Sequence, residues 1–497
     1  FLDQMTKLQG FYEWQENFRS GILKPSRLPE EMSQVQLARD LDLGLFFSNI
    51  DSSFSVEGER RLDHWLCQDF GDTSLTWRKQ SLKEILKHPG LLRKIQIQKK
   101  SEKIRLLAIN EQISRPFVNK TPVKWLVPFS WFLLLGSLLV LGPHSLTKGL
   151  LIVYVGSVLF YIGQTKHVFS QIQDIVTDLS LLNSQLPLLE KLGASLSFTP
   201  QLKAKKGSKN LARLNQLISL MSVKANPLLF YLLNMVLPWD FLLSELSERQ
   251  RRKIQLAFRD FSKECENLEA LISLSNLSIY HETCWATFED HSNLEFQNLS
   301  HPLLDQKTIV KNDFSSQSNQ VIIITGSNMS GKSTFLRAVG LNLCLANMGA
   351  PVFAQSFSFR PLKIMSCIRV SDSLRDGQSY FYAEVLRMKE ILIQAKKEPL
   401  LFLIDEPLRG TNNQERLVGN RQYLRQILET GASGFLSTHD LELTKLADDK
   451  EQIHNFHFSD RWHDQELRFD YKIKEGPSQT TNALKILERE GLYQPMG

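Results

Sequence analysis

The spacing of apolar residues divides this chain of 497 residues into helical and strand-bearing parts. In residues 1–118, apolar positions recur at helical spacing among many charges, and residues 171–295 show the same pattern. From about Phe296 onward, short apolar runs alternate with helical ones. Three of these runs predict buried strands: residues 321–324, 400–404 and 434–437. Such alternation is typical of a parallel sheet covered on both faces, so we predict a multidomain chain with a mainly α-helical N-terminal core and a C-terminal α/β domain.

Two uncharged apolar runs interrupt the helical part, at residues 125–141 and 149–163. Neither run keeps the polar face of a soluble helix, so we expect a transmembrane helical hairpin over residues 125–163. Each run is slightly shorter than the roughly 20 residues that cross a bilayer, and a hairpin buried in a soluble core is the alternative. Basic residues flank the outer ends: Lys120, Lys124, Lys166 and His167. This bias favours both ends in the cytoplasm.

A third apolar segment, residues 227–243, contains Asn234, Pro238 and Asp240. These residues are unfavourable in lipid, so we expect a core helix here and no third span.

Composition adds little to this picture. The chain has 59 Lys and Arg against 53 Asp and Glu, and this net charge of +6 permits contact with nucleic acid or anionic lipid without requiring either. Its five cysteines lie far apart without metal-type pairing, which is typical of reduced thiols in a cytosolic compartment.

The strongest chemical signal is the run Gly326-Ser327-Asn328-Met329-Ser330-Gly331-Lys332-Ser333, followed by Thr334. It fits G-x-x-x-x-G-K-[ST] at every fixed position, and it lies between a predicted strand and a helical run over residues 334–347. In such a loop, backbone N–H groups face the phosphates of a nucleotide, and the Lys supplies a cation to the β and γ phosphates. The Ser after the Lys offers a hydroxyl to Mg²⁺. We therefore predict that this segment binds ATP with Mg²⁺.

Two carboxylates end the second predicted strand, in the pattern Leu400 to Ile404 followed by Asp405 and Glu406. This Walker B pattern predicts that Asp405 holds Mg²⁺ through water and that Glu406 orients or deprotonates the attacking water. His439 follows the third strand and is predicted to sense the γ phosphate.

These motifs together resemble those of the MutS DNA mismatch-repair family. The loop resembles the MutS loop in its Asn328-Met329 pair, although Ser327 stands where the family usually has Pro. Further similar segments occur in the same order: His301-Pro302, Lys311-Asn312-Asp313, Asp405 to Asn412, and Ser437 to Thr444. More weakly, residues 43–66 resemble the start of the MutS helical core. The resemblance implies helical core segments at 1–118 and 171–295, separated by the hairpin at 119–170, and an α/β P-loop ATPase domain of ABC-like type at 296–497.

The resemblance also implies a homodimer. Residues 371–381 are similar to a motif that reaches the partner's ATP, so Gly377 and Ser379 are expected to act in trans, and residues 469–492 resemble a dimerisation segment. DNA is the expected partner. Phe11-Tyr12-Glu13 superficially resembles the mismatch-probing wedge, but the core-like segment begins too soon to leave room for the recognition domain that carries it, so no wedge-type mismatch reading is expected.

We therefore expect a MutS-like ATPase that couples its nucleotide state to DNA binding and is tethered to a membrane, most simply a bacterial inner membrane, with the ATPase domain in the cytoplasm. Two alternatives remain open: an ABC-type membrane ATPase, and a MutS-like regulator that does not act on DNA. The absence of a Leu-Ser-Gly-Gly-type signature argues against the first alternative.

Overall fold

The computed structural model describes residues 36–67, 72–97, 103–116, 125–165, 170–174, 188–189, 192, 216, 220, 226–288, 294–369, 380–463 and 466–478. They fall into two compact units. The first, called the nucleotide unit below, takes residues within 1–52, 60–89 and 271–497, and the second, called the hairpin unit, takes residues 53–59 and those within 90–270. Each unit is thus built from segments that are separated along the chain.

The helices confirm the predicted helical character of the N-terminal part. In chain order they are α1 (Gln36–Asp40), α2 (Leu43–Ile50), α3 (Val56–Cys67), α4 (Asp72–Ile85), α5 (Pro89–Ile97), α6 (Leu106–Ser114), α7 (Leu126–Leu141), α8 (Ser145–Thr165), α9 (Pro227–Val236), α10 (Trp239–Tyr280), α11 (Lys332–Asn347), α12 (Tyr380–Ala395), α13 (Asn413–Leu428) and α14 (Leu446–Asp449). A 3₁₀ helix covers Leu441–Lys445.

The strands lie in the C-terminal part, which is an α/β domain as predicted. They are β1 (Cys284–Trp285), β2 (Thr287–Phe288), β3 (Leu294–Leu299), β4 (Asn312–Ser316), β5 (Val321–Thr325), β6 (Pro351–Val352), β7 (Ser356–Phe359), β8 (Lys363–Cys367), β9 (Leu400–Asp405), β10 (Ser433–Ser437), β11 (Ile453–His463) and β12 (Glu466–Glu475). Strands therefore begin before Phe296, where the sequence pattern placed the change.

The main sheet has six strands in the order β12-β11-β5-β10-β9-β8. The strands from β11 to β8 are parallel, and β12 is antiparallel to β11. Strand β10 lies between β5 and β9, with Ser437 opposite both Ile324 and Asp405. Because parallel strands end at the same edge of a sheet, this order brings the carboxyl ends of β5, β9 and β10 side by side.

Helix α11 packs between this sheet and a four-stranded sheet of order β2-β7-β3-β4. Phenylalanine rings fill the space: Phe296 lies 5.8 Å from Phe357 between ring centroids, Phe314 lies 5.2 Å from Phe435, and Phe335 of α11 lies 5.7 Å from Phe458. Rings of this size dominate the burial of apolar surface. This core fixes the first turn of α11 against the ends of the neighbouring strands.

The opposite face of the main sheet is covered by α12 and α13. Ile323, Phe402 and Leu436 of the sheet pack there with Ile391 of α12 and Leu424 of α13, and all five are buried. The sheet is thus covered on both faces, which accounts for its nearly continuous apolar strands.

The short helix α1 joins the α/β part through a buried carboxylate. Asp40 accepts hydrogen bonds from the backbone N–H groups of Ile368 and Arg369, at 3.0 and 2.9 Å. Beyond it, Asp42 pairs with Arg337 of α11 at 3.6 Å. The N-terminal helical segment therefore contacts both the end of β8 and the helix that follows the Gly326 loop.

In the hairpin unit, α7 and α8 form the predicted helical hairpin. Hydroxyl pairs join the two helices, Ser130 to Ser157 at 2.9 Å and Ser137 to Thr147 at 3.0 Å. Among the helices that the structure describes, Ser145–Gly163 alone is an unbroken stretch that is long and apolar enough to cross a membrane, and Leu126–Leu141 is shorter. By itself, one such helix is weak support for a membrane span.

The expectation that residues 227–243 form a core helix is wrong. The apolar stretch is broken at Leu237 and Pro238 into α9 and the start of α10, which are bent by 87°. Most large apolar side chains of α9 are exposed, so they form no core. The break has a simple cause, because Pro has no N–H to continue a helix and disfavours helical backbone in the residue before it.

Candidate nucleotide site

Two glycines shape the loop that joins β5 to α11. Gly326 has φ 145°, and a Cβ atom there would lie only 2.7 Å from the carbonyl oxygen of Phe458. Gly331 has φ 111° and caps the N-terminus of α11. Only glycine adopts these conformations without strain, so the two fixed glycines of the motif are required by the backbone.

Lys332 lies in the first turn of α11 and is 4% exposed. Its Nζ donates hydrogen bonds to the carbonyl oxygens of Gly326 and Ser327, both at 2.9 Å. Burial lowers the pKa of this ammonium, while the carboxylates of Glu406 and Asp405 act to raise it. The loop thus folds around a cation at the N-terminal end of a helix, where the partial charge of the backbone also favours an anion.

The loop carries polar groups that suit a phosphate. The side-chain oxygens of Ser327 and Ser330 are buried and have no hydrogen-bond partner among the described residues. Buried polar groups of this kind nearly always find a partner, and phosphate oxygens are strong acceptors for hydroxyls. The loop therefore fits a phosphate group chemically as well as in shape.

Ser333 and Asp405 form the candidate metal site. Ser333 Oγ donates to Asp405 Oδ2 at 2.6 Å, and Ser437 Oγ donates to Asp405 Oδ1. Within the described part of the chain, His, Cys, Asp and Glu form no group of three or more that could hold a metal by itself. One hydroxyl and one carboxylate beside a phosphate site suit Mg²⁺, which binds few protein ligands and keeps its phosphate and water ligands.

Glu406 is held in a strained backbone position next to Asp405. Its φ is 49°, and its N–H donates to Ser437 O at 3.0 Å. Its two carboxylate oxygens face different partners: Oε1 lies 2.6 Å from His439 Nε2, and Oε2 lies 2.8 Å from Arg409 Nε. Strain of this kind persists where the surrounding structure over-determines it, which is common at functional sites.

The charge state of Glu406 follows from these partners. Burial acts to raise the pKa of this carboxyl, but the hydrogen bond from His439 and the positive charges of Arg409 and Lys332 outweigh it and hold the pKa below its ordinary value. Lys332 Nζ lies 4.0 Å from Glu406 Oε1. Glu406 is therefore ionised at neutral pH, as an acceptor of a proton must be.

His439 bridges the loop and Glu406. Its Nδ1 lies 2.8 Å from the carbonyl oxygen of Gly326, while Nε2 faces the carboxylate. Both of these partners are acceptors, while Lys332 Nζ, a donor, also lies 3.5 Å from Nδ1. His439 is thereby able to link a movement of the loop to the orientation of Glu406.

The turn after Glu406 is fixed by a group that no sequence motif indicated. Glu384 of α12 is buried, and its Oε1 accepts the N–H of Leu408 at 2.9 Å. Burial raises the pKa of Glu384, against the hydrogen bond from Leu408. Gly410, in the same turn, leaves no room for a Cβ beside Phe381 of α12. Glu384 lies 24 residues from Leu408 along the chain, so the spacing of the Walker B pattern does not reveal it.

A cavity of about 450 Å³ opens beside the loop. Its lining includes Gly331 and Thr334 from the start of α11, together with groups that no motif predicted: Leu304, Ile309 and Tyr471. The ring of Tyr471 lies directly against Gly331, 3.2 Å from where a Cβ would stand. Apolar walls beside a phosphate-binding loop suit a flat aromatic group.

Of the predicted site residues, Gly326, Gly331, Lys332, Ser333, Asp405, Glu406 and His439 are brought together at one edge of the sheet. Ser327 and Ser330 lie in the same loop, Asn328 and Met329 point outward from it, and Thr334 lines the cavity. Gly377 and Ser379 lie outside the described residues.

This part of the chain matches the model of a known protein family. Residues 322–495, about a third of the chain, match the family model described as MutS domain V. The matched segment contains every predicted nucleotide-site residue described above. It supports membership of the MutS family and a MutS-type ATPase domain.

Proposed function

We propose that this chain is a MutS-type ATPase that hydrolyses ATP with Mg²⁺ and couples its nucleotide state to DNA binding. The observation that carries the proposal is the convergence of Lys332, Glu406 and His439 on the loop at the carboxyl ends of β5, β9 and β10. A phosphate-binding cation and a carboxylate that orients water are recurring parts of phosphoryl transfer to water, and His439 lies beside both of them here.

The chemistry follows from the residues. The ammonium of Lys332 exchanges its two carbonyl acceptors for β and γ phosphate oxygens, which are stronger acceptors. Mg²⁺, held by Ser333 and through water by Asp405, would neutralise the phosphate charge. Glu406 holds a water in line with the γ phosphorus and accepts its proton, and Arg409 and His439 keep the carboxylate in place. Positioning and charge stabilisation together account for most of such a reaction.

The 450 Å³ cavity is the proposed site of the base and ribose. We expect Tyr471→Ala to weaken ATP binding by about tenfold, since an aromatic ring stacked on a base contributes about 1–3 kcal/mol. Binding of a fluorescent ATP analogue measures the effect, and Tyr382→Ala, which removes an exposed ring from α12, serves as the matched control. Equal affinity of Tyr471→Ala and the control would place the base elsewhere.

The experiment that tests the coupling to DNA measures ATP turnover with duplex, mismatched, branched and single-stranded DNA at two salt concentrations. We expect at least one DNA form to change the turnover, and binding to weaken as salt rises, because basic side chains contact phosphates. Mg²⁺-dependent turnover that no DNA form changes, with no DNA binding, would favour an ATPase with another partner.

The proposal includes a homodimer with composite sites. Its support is the resemblance of residues 371–381 to a segment that completes a neighbouring subunit's nucleotide site. Strand β8 ends at Cys367, shortly before this segment begins along the chain. A γ phosphate contacted by two subunits would tie hydrolysis to dimer closure.

We further propose that the hairpin unit anchors the chain in a membrane, most simply the inner membrane of a bacterium, with the ATPase domain in the cytoplasm. The apolar helices α7 and α8 support this placement, because they expose the side chains of Phe129, Phe132, Val140 and Ile152. Membrane confinement would also raise the effective concentration for dimerisation. Release of the protein by carbonate washing would contradict the anchor.

A further inference from the structure

The helix α9 presents its apolar side chains outward. Leu228 is 72% exposed and Val236 is 69% exposed. Four more exposed residues lie between them: Leu229, Tyr231, Leu232 and Met235. A soluble helix buries such a set, so this surface needs a cover.

The polar residue that argues against lipid here is shielded. Asn234 is 3% exposed, its side-chain Nδ2 donates to Phe230 O at 2.9 Å, and its Oδ1 accepts the N–H of Asp240 at 3.0 Å. Its carbonyl oxygen accepts a hydrogen bond from Tyr154 of α8 at 2.5 Å. Every one of these partners belongs to the hairpin unit.

The backbone break between α9 and α10 is shielded in the same way. The carbonyl oxygen of Val236, at the end of α9, accepts a hydrogen bond from Trp131 Nε1 of α7 at 3.0 Å. At the start of α10, Asp240 accepts from Thr165 of α8 at 2.5 Å. Non-helical backbone is tolerated at membrane depth where protein groups satisfy it, and here the hairpin supplies them.

We propose that α9 enters the hydrocarbon of a phospholipid bilayer as a short third helix beside α7 and α8. Its ten residues extend about 15 Å, roughly half the hydrocarbon thickness, and the 87° bend after it turns the chain into α10. The chain therefore enters the hydrocarbon along α9 and turns back at the bend, without crossing the bilayer. This inference rests on the proposed membrane placement of the hairpin.

Lipid fits this surface better than a second protein does. The neighbouring helix α7 is exposed on all sides at its C-terminal end, where the exposed residues are Leu138, Leu139, Val140 and Leu141. Four consecutive residues point to every side of a helix. A protein partner covers one face, whereas lipid surrounds a helix. The apolar surface continues onto α10 as far as Leu246.

The basic residues of α10 also favour a bilayer. Beyond Leu246, the exposed side chains of α10 include the basic residues Arg249, Arg252 and Lys253. Basic residues next to an apolar membrane segment attract anionic lipid headgroups. Along α10, exposed apolar residues come first and exposed basic residues follow. A bilayer has the same order, from the hydrocarbon outward to the lipid headgroups.

The test uses single added cysteines that carry an environment-sensitive NBD fluorophore, in vesicles of phosphatidylcholine and phosphatidylglycerol with nitroxide-labelled acyl chains. Leu232→Cys and Met235→Cys report on α9, Leu139→Cys reports on the hairpin, and Val418→Cys on α13 is the control, because Val418 is an exposed apolar residue of the nucleotide unit. The fluorescence of the parent chain, labelled in the same way at its own cysteines, is subtracted from that of each variant.

We expect the nitroxide lipids to reduce the fluorescence at residues 232 and 235 as strongly as at residue 139, with little loss at residue 418. Strong quenching at 139 with α9 probes as bright as the control would overturn the third helix and leave the hairpin anchor intact. If the probe at 139 also escapes quenching, the membrane placement itself fails, and the inference fails with it.

Discussion

The Glu406→Gln variant is expected to bind ATP with Mg²⁺ but to lose about 10²–10⁴-fold in hydrolysis, the usual contribution of a general base. The amide keeps the shape of the side chain and can still contact Arg409 or His439, but it does not accept the proton of the attacking water. Phosphate release in a single turnover measures the loss, and equilibrium binding of a fluorescent analogue checks that affinity persists.

The matched control for that variant is Glu429→Gln, which removes an exposed carboxylate at the end of α13. Its turnover should equal that of the parent chain. If Glu406→Gln also turns over at the parent rate, another group takes the proton, and His439 becomes the first candidate because its ring lies next to residue 406.

The placement of the motif residues at one edge of the sheet depends on local order along the chain. Lys332 follows Gly331 in a fixed motif, and Asp405 with Glu406 ends a strand, so the pattern alone places them at the same edge of a parallel sheet. Ser437 and His439 follow by the same argument. Short-range constraints of backbone geometry suffice for these residues.

The cavity could not be predicted, because its walls come from distant segments. Leu304, Ile309 and Tyr471 meet beside Gly331 only through the packing of the two sheets. The small strands β1, β2 and β6 have two residues each, too few to show a period. Tertiary packing, which no local pattern encodes, determines both features.

The prediction at α9 is wrong partly for the same reason, although the break at Pro238 is a local effect. Asn234 and Asp240 are unfavourable in lipid when considered alone, so the sequence pattern by itself predicts a core helix. The backbone carbonyl of Asn234 and the carboxylate of Asp240 accept hydrogen bonds from Tyr154 and Thr165, which lie 80 and 75 residues away along the chain. The free energy of burying a polar group depends on such partners, and sequence patterns do not show them.

The Lys332→Ala variant is expected to lose ATP binding by at least about 100-fold, since each hydrogen bond to a charged group contributes about 1.5–3 kcal/mol and the ammonium makes more than one. The exposed Lys389→Ala on α12 is the control. Thermal unfolding of both variants separates lost binding from lost folding, because Lys332 is buried beside Glu406. Unchanged affinity in Lys332→Ala would remove the phosphate-binding role from this loop.

Lys332→Ala also allows a test of the composite site. Mixed with Ser379→Arg, each protein being inactive alone, it forms heterodimers in which one site joins an intact loop to an intact Ser379. Random pairing makes half of the dimers mixed, each with one working site, so about one quarter of the parent activity should return. Subunit exchange is followed independently with two fluorescent labels. If mixed dimers form and no activity returns, Ser379 does not complete the partner's site, and hydrolysis is a property of each subunit alone.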